Sequence, residues 1–267
     1  MLKTLQVKTL TERRVKMGES IVVEDMSIPC EGVMLLGRVY RPSEESVYPA
    51  VAICHGFPGD TKNMDLAEEL ALNGVAVLIF YYMGAWGSGG EFRLTNLVPS
   101  TVAAVKYLRG LGCVDPDRVG LISLSMGTVP LTKCMSLDPS LRTGVLMSPA
   151  SDLKPWSQEQ YLDNIVPVFL KSAEGKLAGW TEEKLRQDIR VAASELNPIE
   201  TVRKINAPLM VVLGTNDTLT TPPEIRRLYE AANEPKRLVE IEGADHEFTE
   251  HRIPLQKAVI EWVTSHL

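Results

Sequence analysis

The chain has 267 residues, 45% of them hydrophobic, so it is long enough to bury a full core in one large domain. Its formal net charge of −6 argues against nucleic-acid binding, which requires a clustered basic surface. The N-terminus lacks the apolar core of a signal peptide, and no uncharged apolar stretch is long enough to span a bilayer. We therefore expect a soluble, cytoplasmic protein that does not bind membranes.

The four cysteines are scattered along the chain without the spacing of a zinc site. Free thiols in a reducing compartment are the better interpretation, and the sequence predicts no metal site. The cysteines are Cys30, Cys54, Cys113 and Cys134.

The first part of the chain predicts two extended segments, at 20–28 and 32–40, which form an antiparallel pair at the edge of a sheet. A short buried strand follows at 50–54, and Thr61 is a candidate cap for the next helix. Another continuous apolar strand covers 75–82. This part of the chain thus passes from an antiparallel pair to strands that are buried on both faces.

The middle of the chain continues this alternation of strands and helices. A helix is predicted from Pro99 to Leu111, a turn at 115–118, a strand from Val119 onward and a further strand at 141–147. Strands that alternate with helices are typical of βαβ units and a mainly parallel sheet, so we predict the α/β class.

The alternation stops at about residue 153. Up to residue 196 the sequence shows only two helical patterns, at 158–171 and 181–196, and Thr181 is the expected cap of the second helix. We interpret residues 153–196 as a helical cap inserted into the main domain.

Beyond residue 196 the alternation resumes, so both flanks of the insertion belong to one core domain. This predicts a core of residues 1–152 and 197–267. The remaining elements are strands at 208–214 and 237–241 and helices at 222–232 and 251–266.

A nucleophile elbow is predicted where the strand from Val119 changes into a helix at Thr128. A strand that becomes a helix within so few residues turns sharply, and the side chain at the tip of the turn, here Ser125, points outward. The usual pattern is Gly-x-Ser-x-Gly. In this chain Ser123 stands at the first glycine position and Gly127 at the second.

A serine nucleophile needs a base, and the base needs a third group that holds its tautomer. His246 follows the last strand and Asp217 follows the strand before it, so both lie at the carboxyl edge, where the elbow opens. The order Ser125, Asp217, His246 is the order of a hydrolase triad. Asp152 is the fallback acid, and we interpret Asp245 as a turn residue. The other histidines are His55, His251 and His266.

Two backbone amides are candidates for the oxyanion hole that acyl transfer requires. Met126 follows the nucleophile at the start of its helix, and Phe57 follows the strand at 50–54. Pro58 has no N–H, so Phe57 is the better donor in its loop.

Aromatic residues supply candidates for the substrate-binding wall. Trp86 lies in a glycine-rich loop that lacks the spacing of a nucleotide-binding motif. In the cap, Trp156, Tyr161, Phe169 and Trp180 are candidates for an apolar lid over an ester. We predict that Trp86, Trp156, Tyr161 and Phe169 bind substrate.

Together these segments resemble the α/β-hydrolase family over nearly the whole chain. The matching motifs are His55-Gly56-Phe57, the glycines within 84–90, the Ser125 elbow, Gly214-x-x-Asp217 and Gly243-x-x-His246. The combination looks most like small carboxylesterases of the feruloyl-esterase and dienelactone-hydrolase-like branches. It is also similar to the catalytic domains of acylaminoacyl peptidases.

The resemblance implies a Ser-His-Asp triad, no cofactor, and a cap that shapes the acyl or alcohol pocket. Two departures from the family pattern are Ser123 at the elbow and Ala85-Trp86, where many relatives carry a charged residue. The second departure leaves the substrate class open.

Three functional hypotheses follow. The leading one is a serine hydrolase that cleaves small-molecule carboxylic esters through an acyl-enzyme on Ser125. The second is a peptidase or amidase that acts on acyl-peptides with the same triad, and the third is a non-catalytic ligand-binding protein on a hydrolase scaffold. The sequence does not fix the oligomeric state, and a dimer remains open.

Overall fold

One mixed sheet organises the protein in a computed structural model that describes residues 20–59 and 63–267. Within those residues the sheet has eight strands in the order β1-β2-β4-β3-β5-β6-β7-β8. The strands are β1 Ile21–Cys30, β2 Val33–Pro42, β3 Tyr48–Cys54, β4 Ala76–Phe80, β5 Val114–Leu124, β6 Gly144–Met147, β7 Leu209–Gly214 and β8 Lys236–Ile241.

The sheet is antiparallel only at its N-terminal edge. Strand β2 pairs antiparallel with both β1 and β4, and each pair from β4 to β8 across the sheet is parallel. Every residue of β4, β6 and β7 is buried, as expected for parallel strands that helices cover on both faces. The predicted α/β class, with a mainly parallel sheet and an antiparallel N-terminal pair, is confirmed.

Helices cover both faces of the sheet. The buried side chains of α1 and α8 pack on one face, and those of α2, α3, α5 and α7 belong to the core of the other face. The helices are α1 Met64–Leu72, α2 Leu97–Arg109, α3 Thr128–Leu137, α4 Glu159–Ala173, α5 Glu182–Glu195, α6 Pro198–Thr201, α7 Pro222–Ala231 and α8 Arg252–His266.

Strand β5 differs from the sequence prediction at its start. Tyr48 of β3 pairs with Val114, but Ala50 pairs with Val119, so the four residues from 115 to 118 bulge out of the ladder. The predicted turn at 115–118 is therefore an irregular part of β5, because the strand already begins at Val114. The predicted cap Thr61 lies outside the described residues.

The segment between β6 and β7 carries α4 and α5 and crosses back onto the glycine-rich loop of the core. Ala85 and Leu177 form an isolated antiparallel bridge, and the backbone N–H of Phe92 donates to the carbonyl of Ala178 at 2.8 Å. The side chain of Thr181 accepts from the N–H of Lys184, which confirms Thr181 as the N-cap of α5. The boundaries of the predicted cap at 153 and 196 stay a prediction.

A buried ion pair joins α5 to the core. The Arg93 guanidinium contacts both oxygens of the Asp188 carboxylate, and its closest approach is 2.6 Å. The Asp188 side chain is fully buried and also accepts from the backbone N–H of Leu94. In the described part of the chain, none of the helices has both the length and the apolar character needed to cross a lipid bilayer.

Candidate active site

Ser125 lies at the tip of the turn between β5 and α3. Its φ of +52° falls in the left-handed region, which a residue with a side chain seldom adopts. A single helical turn of the 3₁₀ type, Ser125–Gly127, follows at once and leads into α3 at Thr128. The strained backbone is the geometry expected of a nucleophile elbow, because it directs the serine side chain away from both flanking elements.

The residues on either side of Ser125 explain why the elbow tolerates a serine at one small position and requires glycine at the other. A Cβ atom on Gly127 would lie 2.1 Å from the carbonyl oxygen of Cys54, so only glycine fits there. Ser123 is fully buried in β5, and its hydroxyl donates to the carbonyl of Val145 at 3.4 Å. The hydroxyl thus has a partner, and the departure from the usual pattern leaves the turn intact.

The loops after β7 and β8 bring Asp217 and His246 together. The Nδ1 atom of His246 lies 2.8 Å from Oδ2 of Asp217. A carboxylate only accepts hydrogen bonds, so Nδ1 carries the proton and Nε2 is left as the basic nitrogen. The Asp217 side chain is fully buried, whereas the imidazole keeps 13% of its surface exposed.

Asp217 accepts three further hydrogen bonds besides that of His246. The backbone N–H groups of Leu219 and Thr220 donate to Oδ1 at 2.8 and 2.9 Å, and the Thr220 hydroxyl donates to Oδ2 at 2.8 Å. Burial by itself raises the pKa of this carboxyl. The hydrogen bonds and the charge of the nearby imidazole outweigh burial, so the pKa of Asp217 lies below its ordinary value.

Thr220 is a member of this network that the sequence analysis missed. Its Oγ1 atom lies 3.1 Å from Nδ1 of His246 and 3.1 Å from the carbonyl oxygen of Ser148. A signal was present, because an Asp followed three residues later by Thr is typical of a loop in which the carboxylate caps the following backbone.

A cavity of about 310 Å³ joins the predicted site residues. Ser125 and His246 both line it, and Asp217 lies behind the imidazole. The residues around it are mainly apolar and come from the loops after β3, β5, β7 and β8, from the turn that contains Trp156 and from α4. They are Gly56, Phe57, Pro58, Gly59, Leu124, Ser125, Met126, Trp156, Tyr161, Ile165, Val168, Phe169, Ser172, Leu219, Thr220, His246 and Glu247.

Phe57 and Met126, the predicted oxyanion-hole residues, line the same cavity. The loop before Phe57 runs close to the elbow, since a Cβ atom on Gly56 would lie 3.2 Å from Cβ of Ser125. The structure therefore places both residues beside the serine. Their role as amide donors stays a prediction.

Three of the four predicted wall residues line the cavity, namely Trp156, Tyr161 and Phe169. Trp86 is the exception, because it does not line the cavity and instead contacts Pro58, which does. Its indole N–H donates to the carbonyl of Pro58 at 2.9 Å, and its side chain is partly exposed.

Asp152 and Asp245, the other two acidic residues weighed in the sequence, form hydrogen bonds outside the Asp217–His246 network. Asp152, the fallback acid, accepts from the side-chain amide of Asn197 at 2.8 Å, which ties the two ends of the α4–α5 segment together. Asp245 accepts from the N–H of Thr249, as a turn residue does.

Among residues 20–59 and 63–267, no cluster of three or more His, Cys, Asp or Glu could hold a metal ion. The four cysteines are free thiols.

Comparisons with known proteins identify the family of the chain. The family model described as the prolyl oligopeptidase family matches residues 64–267. An uncharacterized protein of Mycobacterium tuberculosis is 28% identical over 230 residues, which cover 86% of this chain and 72% of that protein.

Solved structures share the fold. Est1E from Butyrivibrio proteoclasticus superposes with a TM-score of 0.73 at 22% identity, over 91% of this chain and 98% of Est1E, and one structure of Est1E contains bound ferulic acid. The esterase domain of a Rhodothermus marinus protein gives a TM-score of 0.68 at 16% identity, over 90% of this chain and 97% of that domain.

Proposed function

The chain belongs to the prolyl oligopeptidase family and has the α/β-hydrolase fold, and on that premise we propose that it is a serine hydrolase that cleaves carboxylic esters. The observation that carries the proposal is the 2.8 Å contact between His246 and Asp217, at a cavity that Ser125, on its left-handed turn, also lines.

In the proposed reaction the Ser125 hydroxyl attacks the ester carbonyl while Nε2 of His246 takes its proton. The backbone amides of Phe57 and Met126 donate to the oxygen that becomes negative. His246 then gives its proton to the departing alcohol, which leaves an acyl group on Ser125. Water, activated by the same imidazole, releases the acid and restores the serine. Asp217 holds the Nδ1–H and stabilises the imidazolium throughout.

The lining of the cavity favours neutral esters with an apolar arm. Among the described residues that line the cavity, none is Lys or Arg, and Glu247 is the only one that carries a carboxylate. A carboxylate on the substrate would therefore meet no compensating charge there. Ferulic acid, bound in the related Est1E structure, has an aromatic arm, and the aromatic side chains here offer a similar chemical surface.

Labelling with a fluorophosphonate tests the nucleophile directly. We expect mass to be added to the peptide that contains Ser125, and we expect Ser125→Ala to abolish labelling and to reduce hydrolysis of p-nitrophenyl esters by more than about 10⁴-fold. Ser136→Ala, on the same α3 helix but outside the cavity, is the matched control and should behave as the wild type. If the wild type is not labelled, the hypothesis of a non-catalytic ligand-binding protein replaces this one.

A peptidase or amidase is the second candidate, and the family match favours it. The same groups cleave amides, so the difference lies in the substrate. The ratio of kcat/KM for matched acyl esters and acyl-peptide anilides decides between the two functions. Under the leading proposal the esters are turned over and the anilides are not.

A further inference from the structure

A second, smaller cavity lies directly behind the substrate cavity. Its volume is about 10 Å³, roughly the size of one water molecule, and its walls offer no polar partner that would hold a water. Two of its lining residues, Met126 and Trp156, also line the 310 Å³ cavity, so they separate the two spaces. The full lining is Leu94, Met126, Val129, Leu153, Trp156, Ile189 and Ala192.

Met126 and Trp156 form the partition between the two cavities. Met126 belongs to the elbow, whereas Trp156 comes from a different part of the chain. It lies in a short 3₁₀ turn, Pro155–Ser157, and its backbone N–H donates to the carbonyl of Leu153 at 3.0 Å. Its indole stacks on Tyr161 with the ring planes 12° apart and the centroids 6.0 Å apart, and it meets the edge of Phe169 at 6.2 Å. These contacts hold the indole against two aromatic side chains of α4.

We propose that Trp156 closes the apolar end of the substrate cavity and thereby sets the maximum length of the apolar arm of the ester. This inference rests on the proposed esterase function. Below the limit, each added methylene that is buried in the cavity contributes up to about fourfold in kcat/KM. Beyond the limit, the next methylene meets the indole in a packed site, and kcat/KM stops rising or falls.

The space behind the partition suits a longer arm. Its walls are apolar side chains that include Val129 of α3 and Ile189 of α5, and they would accept alkyl carbons without leaving a polar group unpaired. Removing the indole joins this space to the substrate cavity and adds the volume of the ring itself. Trp156 is therefore a specificity-determining residue in this proposal.

The test compares Trp156→Ala with Ile189→Ala, which enlarges the rear space but leaves the partition in place. Two substrate series are measured for kcat/KM: p-nitrophenyl esters of increasing acyl length, and acetates of increasing alkyl length. In Trp156→Ala we expect the optimal length to rise by at least two methylenes in one of the series, while short esters are still hydrolysed. Ile189→Ala alone should keep the wild-type optimum. Combined with Trp156→Ala, it should lengthen the optimum further.

The proposal is overturned if Trp156→Ala turns over short esters but keeps the wild-type optimum in both series, or if Ile189→Ala alone shifts the optimum. Trp156→Leu, a milder truncation, takes the place of the alanine variant if the latter does not fold. A wild type that hydrolyses no ester and is not labelled at Ser125 contradicts the esterase function instead, so the two failures are distinct.

Discussion

The hydroxyl of Thr220 lies beside both the Asp217 carboxylate and the His246 imidazole. Its single proton has two acceptors within reach, Oδ2 of Asp217 at 2.8 Å and the carbonyl of Ser148 at 3.1 Å, and its oxygen lies 3.1 Å from Nδ1 of His246. Because the hydroxyl helps to keep the carboxylate ionised in a buried place, we expect it to affect both stability and activity.

Thr220→Val keeps the shape of the side chain but removes this donor. We expect the pKa of the Asp217 carboxyl to move up toward its ordinary value, and we expect the free energy of unfolding at pH 7 to fall by about 1 kcal/mol. kcat/KM should fall as well, because the carboxylate orients the imidazole less firmly. Thr220→Ser, which keeps the hydroxyl, is the control. Urea denaturation and ester hydrolysis are the measurements.

The pH dependence of this variant follows from the lowered pKa of Asp217. A carboxyl whose pKa is lower in the folded state stabilises the protein above its unfolded-state pKa, and this stabilisation is lost as the pH falls through the folded-state value. The loss in the free energy of unfolding caused by Thr220→Val should thus be full at pH 7 and should shrink below about pH 4. If the loss is the same at pH 7 and in acid, the hydroxyl does not stabilise the protein through the ionised carboxylate.

The elbow requires glycine at position 127, because the turn passes close to the end of β3 there. In Gly127→Ala the new Cβ atom would lie 2.1 Å from the carbonyl oxygen of Cys54, so either β3 or the turn has to move. We expect labelling of Ser125 to be lost together with about 2 kcal/mol or more of stability. Gly112→Ala is the matched control, because nothing lies within 4 Å of the added atom. A fully active, stable Gly127→Ala would contradict this account of the elbow.

Between elements, two ion pairs join α5 to the core, and one is buried whereas the other is exposed. Arg93 and Asp188 form the first pair, and the carboxylate of Asp188 is fully buried. Lys184 and Glu91 form the second pair across the same junction, where both side chains reach solvent. The two pairs allow a direct comparison of how much a buried and an exposed ion pair contribute to the free energy of unfolding.

Arg93→Met leaves the Asp188 carboxylate buried without its guanidinium partner. We expect a loss of about 3 kcal/mol in the free energy of unfolding, because an unpaired buried charge is costly. The matched control Lys184→Met breaks the exposed pair and should cost much less, because solvent screens exposed charges. Chemical denaturation of both variants gives the comparison. Equal costs would mean that the buried pair contributes no more than the exposed one.

The sequence predicted the type of most elements but not the contacts between distant ones. The sequence predicted the apolar strands β4 and β7 and the N-cap Thr181, because local hydrophobic periodicity and capping chemistry determine these features. The bulge at 115–118 was predicted as a turn, since Asp-Pro-Asp resembles a turn and only the pairing of β3 with β5 shows otherwise. Arg93 and Asp188 are 95 residues apart, and nothing local links them.

Across the whole molecule, the candidate site forms because the loops after the parallel strands β5, β7 and β8 leave the sheet at the same edge. That convergence was predictable from the order of Ser125, Asp217 and His246 along the chain. The shape of the cavity was not predictable, because it depends on how α4 lies over the edge. Trp86 shows this limit. Its place in the glycine loop suggested contact with substrate, whereas in the structure its indole N–H donates to the carbonyl of Pro58 and its side chain does not line the cavity.

Finally, the packing predicts that the α4–α5 segment and the rest of the protein unfold together. Buried side chains of α5, such as Leu185, belong to the same hydrophobic cluster as those of α2 and α3, so no separate core exists for the segment among the described residues. We expect a single transition in urea, with tryptophan fluorescence and far-ultraviolet circular dichroism coinciding. Trp262→Phe removes the tryptophan of α8. The remaining reporters are Trp156 and Trp180, and Trp86, whose backbone N–H donates to the carbonyl of Lys176 in the α4–α5 segment. If their fluorescence changes at a lower urea concentration than the circular dichroism, the segment opens before the sheet does, and the single-core account is wrong.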